Sequence, residues 1–242
     1  MTAPRLSIGI RLLLQAPRML RRVRERLFHS LLRYLTTPVG RERTASAEGV
    51  ESLAAVLLRG DVLLSEGSTR VSTLIKCLTR SPWSHVSMYV GPLDEGQDPR
   101  CIVEADITGG VRSIRLSELD ALKVRVLRPA ALDSTNRNRL AEWVTSRIGS
   151  EYDHAHAWLL GRRLLRLPIR TDRRPSIGTE TGTAARFICC SLLAHAFASV
   201  GLAIAPAGGG SGTQLDPASI TPADFDQAAV FEVIRSASDR PA

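Results

Sequence analysis

Cys189 and His85 are the two side chains whose type and setting would supply a nucleophile and its base. A cysteine serves acyl transfer only as the thiolate. Its ordinary pKa of roughly 8.5 falls by several units at a helix N-terminus or beside an imidazolium. Phe187-Ile188-Cys189-Cys190-Ser191-Leu192-Leu193 reads as an apolar lead-in to a helix that begins at Cys189. The thiolate there would face backbone amides that have no partner within the helix. Cys190 lies roughly 100° further round such a helix and is expected to pack inside the domain.

Ser84-His85-Val86-Ser87-Met88-Tyr89-Val90-Gly91 reads as a strand entered at its histidine, with Pro82-Trp83 before it. The ring would emerge at a strand end, one nitrogen toward a thiol and the other toward an acceptor. Glu104 stands among apolar residues on the next strand, Cys101-Ile102-Val103-Glu104-Ala105, and burial would oblige it to find a partner. Bonded to His85, it would fix the tautomer and favour the imidazolium, as a carboxylate does in other triads. Asp106 competes for that role. The plainer reading, an ordinary buried cysteine pair and a structural histidine, stays open at this point.

The elements that must hold these groups follow from the apolar pattern. A short helix near 50–59 leads through Gly60-Asp61 into a strand at Val62-Leu63-Leu64. Ser72 to Thr79 reads as a helix stopped by Pro82. Gly109-Gly110 turns the chain into Val111 to Ile114, and Val124 to Leu127 adds a strand, so an antiparallel sheet is expected. Asn136 to Ile148 is helical, with Leu140, Trp143, Val144 and Ile148 on its apolar side and Gly149 as terminator. Asp172 to Ala185 reads as a loop, Gly208 to Gly212 as a flexible connection, and Phe231 to Ile234 as a closing strand.

The formal net charge is +8, and Lys76 and Lys123 are the only lysines among 32 basic residues. Ten arginines face only Glu25 and Glu42 within the first 45 residues. Leucines at helical spacing between Leu20 and Leu35 make this stretch a basic amphipathic extension, divided at Pro17. It would dock on its own domain, on another subunit or on an anionic bilayer. His154 to Arg170 mixes leucines, Trp158 and arginines in a second such surface. We therefore divide the chain into an extension, 1–45, and a catalytic domain, 46–242.

Cys77, Cys101, Cys189 and Cys190 show neither zinc-knuckle spacing nor a disulfide framework, and reduced thiols are expected. His154 and His156 are two apart without an obvious third ligand and read as a surface pair, so no metal or cofactor is expected. Few aromatic platforms accompany the arginines, which argues against specific nucleic-acid binding. The opening residues lack a clean signal peptide, and the uncharged run after Phe187 is expected to be a buried helix rather than a membrane span. The expected location is cytoplasmic, peripheral to the inner membrane face.

These segments resemble those of the permuted papain-like amidases of the NlpC/P60 superfamily, the YiiX and YaeF-like group. Gly60-Asp61-Val62-Leu63 is similar to that group's opening strand, Ser84 to Gly91 to its histidine segment, and Val103-Glu104-Ala105 to the segment bearing its third polar residue. Phe187-Ile188-Cys189 resembles the nucleophile segment, normally followed by Ser-Glu-Leu; here Cys190, Ser191 and Leu192 follow. Gly149 to Asp153 resembles that group's Tyr-Asp segment between histidine and cysteine, and Ile220 to Phe225 its late segment before the last strand. The resemblance implies an α+β, circularly permuted papain-like fold, an antiparallel sheet packed against helices. It also implies a cysteine hydrolase that cleaves an amide or ester through Cys189, His85 and Glu104, with Tyr152 at the oxyanion. The substrate would be a small molecule, a peptide or a lipid. Peptidoglycan-peptide cleavage, lipid acyl transfer and a non-catalytic membrane-associated scaffold are the alternatives, and the oligomeric state is open.

Overall fold

Apolar residues on consecutive positions of a strand face opposite sides of its sheet, so a run such as Val62-Leu63-Leu64 demands cover on both faces. The computed structural model describes residues 26–27, 30–39, 47–165, 186–205, 215–217 and 219–235, and supplies that cover. Strands β1 (Val62–Glu66), β2 (His85–Tyr89), β3 (Arg100–Asp106), β4 (Gly110–Arg115), β5 (Lys123–Pro129) and β8 (Phe231–Arg235) form one sheet in the order β4-β3-β2-β1-β5-β8. Every neighbouring pair in it is antiparallel. Strands β6 (Glu151–Tyr152) and β7 (Arg186–Phe187) form a separate two-stranded parallel ladder.

Val62, Leu64, Val86, Met88 and Val103 point into the larger core. There they meet Leu140 and Val144 of α3 (Ser134–Thr145) and Leu192, Leu193 and Phe197 of α5 (Cys189–Ser199). Leu63, Ile102, Ile114 and Val126 face the other side and are covered by Leu53 of α1 (Ala47–Ala54), Leu57 and a 3-10 turn over Leu116–Leu119. Further helices are α2 (Arg70–Thr79), α4 (His154–Leu164) and α6 (Pro222–Gln227), and residues 30–36 are also helical. This is the mixed fold expected from the pattern, with its antiparallel sheet packed against helices.

Some local expectations shift. The first helix runs earlier than 50–59, and α2 starts at Arg70 rather than Ser72; it ends at Thr79 as expected, but the stop is made by Arg80, in the left-handed conformation with φ 52°, ahead of Pro82. Ile148 lies beyond the end of α3 and is exposed rather than apolar-side packing. His154 and His156 stand on a helix, and His156 is buried, so they are not a surface pair. Of the basic extension, only 26–27 and 30–39 belong to the described residues, as do none of Pro17, the 172–185 loop and Gly208 to Gly212. Residues 38 and 69 form a β-bridge, and Val39 N donates to Ser68 O at 2.7 Å, which ties the end of the extension to the domain. The run after Phe187 is α5, buried as expected, and among the described residues no helix is long and apolar enough to cross a membrane.

Candidate active site

Two features hold Cys189 at the first turn of α5. Phe187 and Ile188 are buried, and Ile188 is the extended N-cap residue. Because isoleucine has no side-chain acceptor, Ser191 supplies the cap from inside the helix: its Oγ accepts from Ile188 N at 3.0 Å. Ser191 stands where the resemblance leads one to expect a glutamate, and a hydroxyl reaching back to the N-cap amide does the same capping work.

His85 opens β2, and the strand register selects its carboxylate. Met88 pairs with Val103 and Tyr89 with Ile102. Continuing that register sets Glu104 opposite Ser87, on the same side of the sheet as His85 and diagonal to it, a distance long side chains bridge. His85 Nε2 and Glu104 Oε2 are 2.8 Å apart. Asp106, the competing acceptor, is instead consumed by its own turn, accepting from Thr108 N and Gly109 N at 2.9 Å each.

Arg112 was not singled out from the sequence. It is the cross-strand partner of Glu104, and its Nε and Nη2 reach Glu104 Oε1 at 3.0 and 2.8 Å. Each oxygen of Glu104 thus has its own cation-capable partner. A signal for Arg112 was present: folding the 101–114 hairpin about Thr108 brings residue 112 opposite residue 104.

Tyr152 reaches the cysteine through the β6–β7 ladder, in which it pairs with Phe187 while Asp153 N donates to Phe187 O at 3.0 Å. The loop ahead of it is fastened to β4, where Val111 N donates to Ser150 O at 2.9 Å. Gly110 permits that approach, since it has φ +69° and a Cβ on it would stand 2.4 Å from Ser150 O. A cavity of about 290 Å³ opens beside Tyr152, walled by Thr108, Gly109, Gly110, Gly149 and His154 among others.

The electrostatics of the set are coupled. Cys189 and His85 act on each other's ionisation, the thiolate favouring the imidazolium and the imidazolium the thiolate. The Cys189 thiol is held well below its ordinary value, first by the hydrogen bond from Cys190, against the opposing effect of burial, and then by His85. The two sulfurs are 3.8 Å apart. Burial, and then the Cys189 thiolate itself, push Cys190 well up, so Cys190 remains a neutral donor. For His85, burial acts against the charged form, but Glu104 and Cys189 together carry its pKa well above the usual value. Burial opposes ionisation of Glu104 too, yet His85 and Arg112 keep it lowered. Tyr152 is raised well up by burial and by the neighbouring Cys189, which keeps its hydroxyl protonated.

These directions fix a pH dependence. Alkylation of Cys189 by iodoacetamide is expected to be near its maximal rate already at neutral pH and to fall only on the acid side, where the thiolate gains a proton. An unperturbed cysteine would instead titrate near about pH 8.5. Cys190→Ala should move the acid limb upward and Cys190→Ser should restore it, as followed by mass spectrometry of the labelled peptide. An unmoved limb in both variants would remove Cys190 from any role toward the thiolate.

The cysteine stands on a helix and the histidine on a strand that precedes it in the chain, and a family model described as a permuted papain-like amidase enzyme, YaeF/YiiX, C92 family, matches residues 56–161. Over that span the chain is similar to the YaeF/YiiX group, the C92 family. The matched span carries His85, Glu104 and Tyr152 and ends before Cys189. A crystal structure described as metalloprotein yiiX from Escherichia coli O157:H7 shares the fold with a TM-score of 0.51 at 15% identity, covering 75% of this chain and 98% of that one. No functionally curated protein matches the sequence significantly. The metal in that description is a property of that protein; among the described residues here, no group of three or more His, Cys, Asp or Glu is arranged to hold one.

Proposed function

We propose that the protein cleaves an amide bond, or a related ester, through Cys189 as nucleophile, His85 as proton carrier and Glu104 as the carboxylate that orients it. The 2.8 Å bond between His85 Nε2 and Glu104 Oε2, beside a Cys189 thiol that His85 helps to hold low, supports the reading. Glu104 occupies His85 Nε2, which leaves Nδ1 for the thiol. The thiolate would attack the substrate carbonyl while the C=O electrons move onto oxygen. Collapse of that adduct expels the amine or alcohol, which takes its proton from His85, and leaves a thioester on Cys189. Water, deprotonated by His85, then attacks the thioester carbonyl, and cleavage of the C–S bond releases the acid and restores the Cys189 thiolate beside protonated His85.

The backbone N–H of Cys189 at the helix start and the protonated Tyr152 hydroxyl are the donors for the oxyanion. The cavity beside Tyr152 offers room for the part of the substrate that flanks the carbonyl. Tyr152→Phe is expected to lower kcat about tenfold to a hundredfold with KM little changed, since the lost bond would strengthen only in the transition state. Steady-state kinetics on a panel of chromogenic amides and esters is the test. A loss confined to KM would make Tyr152 a substrate-contact residue only, and no turnover across amides and esters, with Cys189 inert to alkylation, would sink the proposal itself.

A further inference from the structure

The apolar side chains that the cores leave uncovered are unevenly placed. Of the eleven large apolar residues exposed among the described residues, seven fall in three segments: 26–39, α2 with Arg80, and 154–165. Leu27, Leu31, Tyr34, Leu74, Trp158 and Leu165 are between 47% and 68% exposed. α2 contains Val71, Leu74, Ile75 and Leu78 at helical spacing, yet none of its residues is buried. The segments are joined through α2. The Arg70 guanidinium lies 4.4 Å over the Tyr34 ring and donates to Tyr34 O at 3.2 Å, and α2 packs against α4.

Charge separates this surface from an ordinary sticky patch. The three segments hold Arg26, Arg33, Arg70, Arg80, Arg162 and Arg163 and not one aspartate or glutamate. Lys76 bonds Glu66 at 3.0 Å, and Arg70 and Arg162 are partly covered, so the exposed cations of the set are Arg26, Arg33, Arg80 and Arg163. We infer that this face is a docking surface for an anionic lipid bilayer. Exposed leucines and a tryptophan interleaved with arginines suit the headgroup and acyl boundary, where the rings and aliphatic chains enter and the guanidinium groups meet lipid phosphates. Residues 1–25 of the same chain are a poor cover for it, because they carry six arginines against Glu25 and would meet like charge. Nucleic acid would satisfy the arginines and leave the leucines in water. Trp158 stands one helical turn after the cavity-lining His154, so the face adjoins the cavity beside Tyr152.

Co-sedimentation of the full chain with phosphatidylcholine vesicles, with and without one third phosphatidylglycerol, tests this independently of any turnover. Binding to the anionic vesicles alone is expected, weakening as salt rises, with a blue shift of tryptophan emission that is lost in Trp158→Phe. The pair Arg33→Glu with Arg163→Glu should weaken partitioning at least about tenfold, and Leu74→Glu with Trp158→Glu should do the same. Cys189→Ala should bind as the unaltered protein does. All four altered positions are exposed, so circular dichroism is expected to show an unchanged fold. No binding, equal binding to neutral vesicles, or unaffected variants would overturn the inference. So would a lipid-free dimer dissolved by Leu74→Glu, or nucleic-acid binding lost in the arginine variants while vesicles are ignored.

Discussion

Cys189→Ala is expected to lower turnover at least about a thousandfold while leaving the fold and its melting temperature nearly unchanged. Removing the nucleophile forfeits the covalent route, and only substrate positioning and the oxyanion donors remain to accelerate the reaction. The side chain is half-buried at the start of α5 rather than deep in the core, so its loss opens little space. The same variant should lose iodoacetamide labelling at the peptide containing residue 189. Rates measured with a purified amide substrate, alongside thermal denaturation, decide the matter. Turnover retained at more than about a tenth of the original would remove Cys189 from the chemistry.

Asp61→Ala is expected to be the most damaging single change to the fold, by about 3–5 kcal/mol. Asp61 is fully buried, yet it receives three different elements. Arg128 of β5 donates to Oδ1 at 2.9 Å and Oδ2 at 2.6 Å, Arg137 of α3 donates to Oδ1 at 3.2 Å, and Leu58 N donates to Oδ2 at 2.9 Å. The alanine would leave two largely covered guanidinium groups facing each other across a vacated site, together with an amide deprived of its acceptor. Chemical denaturation of wild type and variant measures the difference. A loss below about 1 kcal/mol would mean that water replaces the carboxylate at little cost. Asp61→Asn should fall between, since it keeps an acceptor and loses the charge.

Strands and the cysteine-bearing helix were legible because they are written locally. Val62 to Leu64, His85 to Val90 and Cys101 to Ala105 alternate or run apolar between turn residues, and Phe187-Ile188 before Cys189 marks a buried helix start. Glu104 could be preferred to Asp106 because a lone carboxylate among apolar residues needs a partner. The missing parts depend on contacts distant in the chain. The β6–β7 ladder joins residues 151–152 to 186–187, and a two-residue parallel pairing leaves no periodicity to read. Arg112 looks like any arginine on an exposed hairpin edge until the register puts it across from Glu104. His156 misled because two histidines two positions apart, with arginines and leucines after them, read as a surface pair, whereas α4 buries one of them. The contribution of Cys190 to its neighbour's charge was also hidden, since a helical-wheel angle does not show that the sulfurs stand 3.8 Å apart.

The β6–β7 ladder also bears on how this protein can change its length. By clamping residues 151–152 to 186–187 it makes the stretch from 153 to 185 a closed excursion whose two ends meet beside the cysteine. Lengthening a closed loop costs only about 0.6 kcal/mol per doubling. Insertions there can therefore accumulate at small thermodynamic cost without moving Tyr152 relative to Cys189. The family match stops at residue 161, inside that excursion. Four paired residues thus hold Tyr152 beside Cys189 independently of how much chain separates the two in sequence.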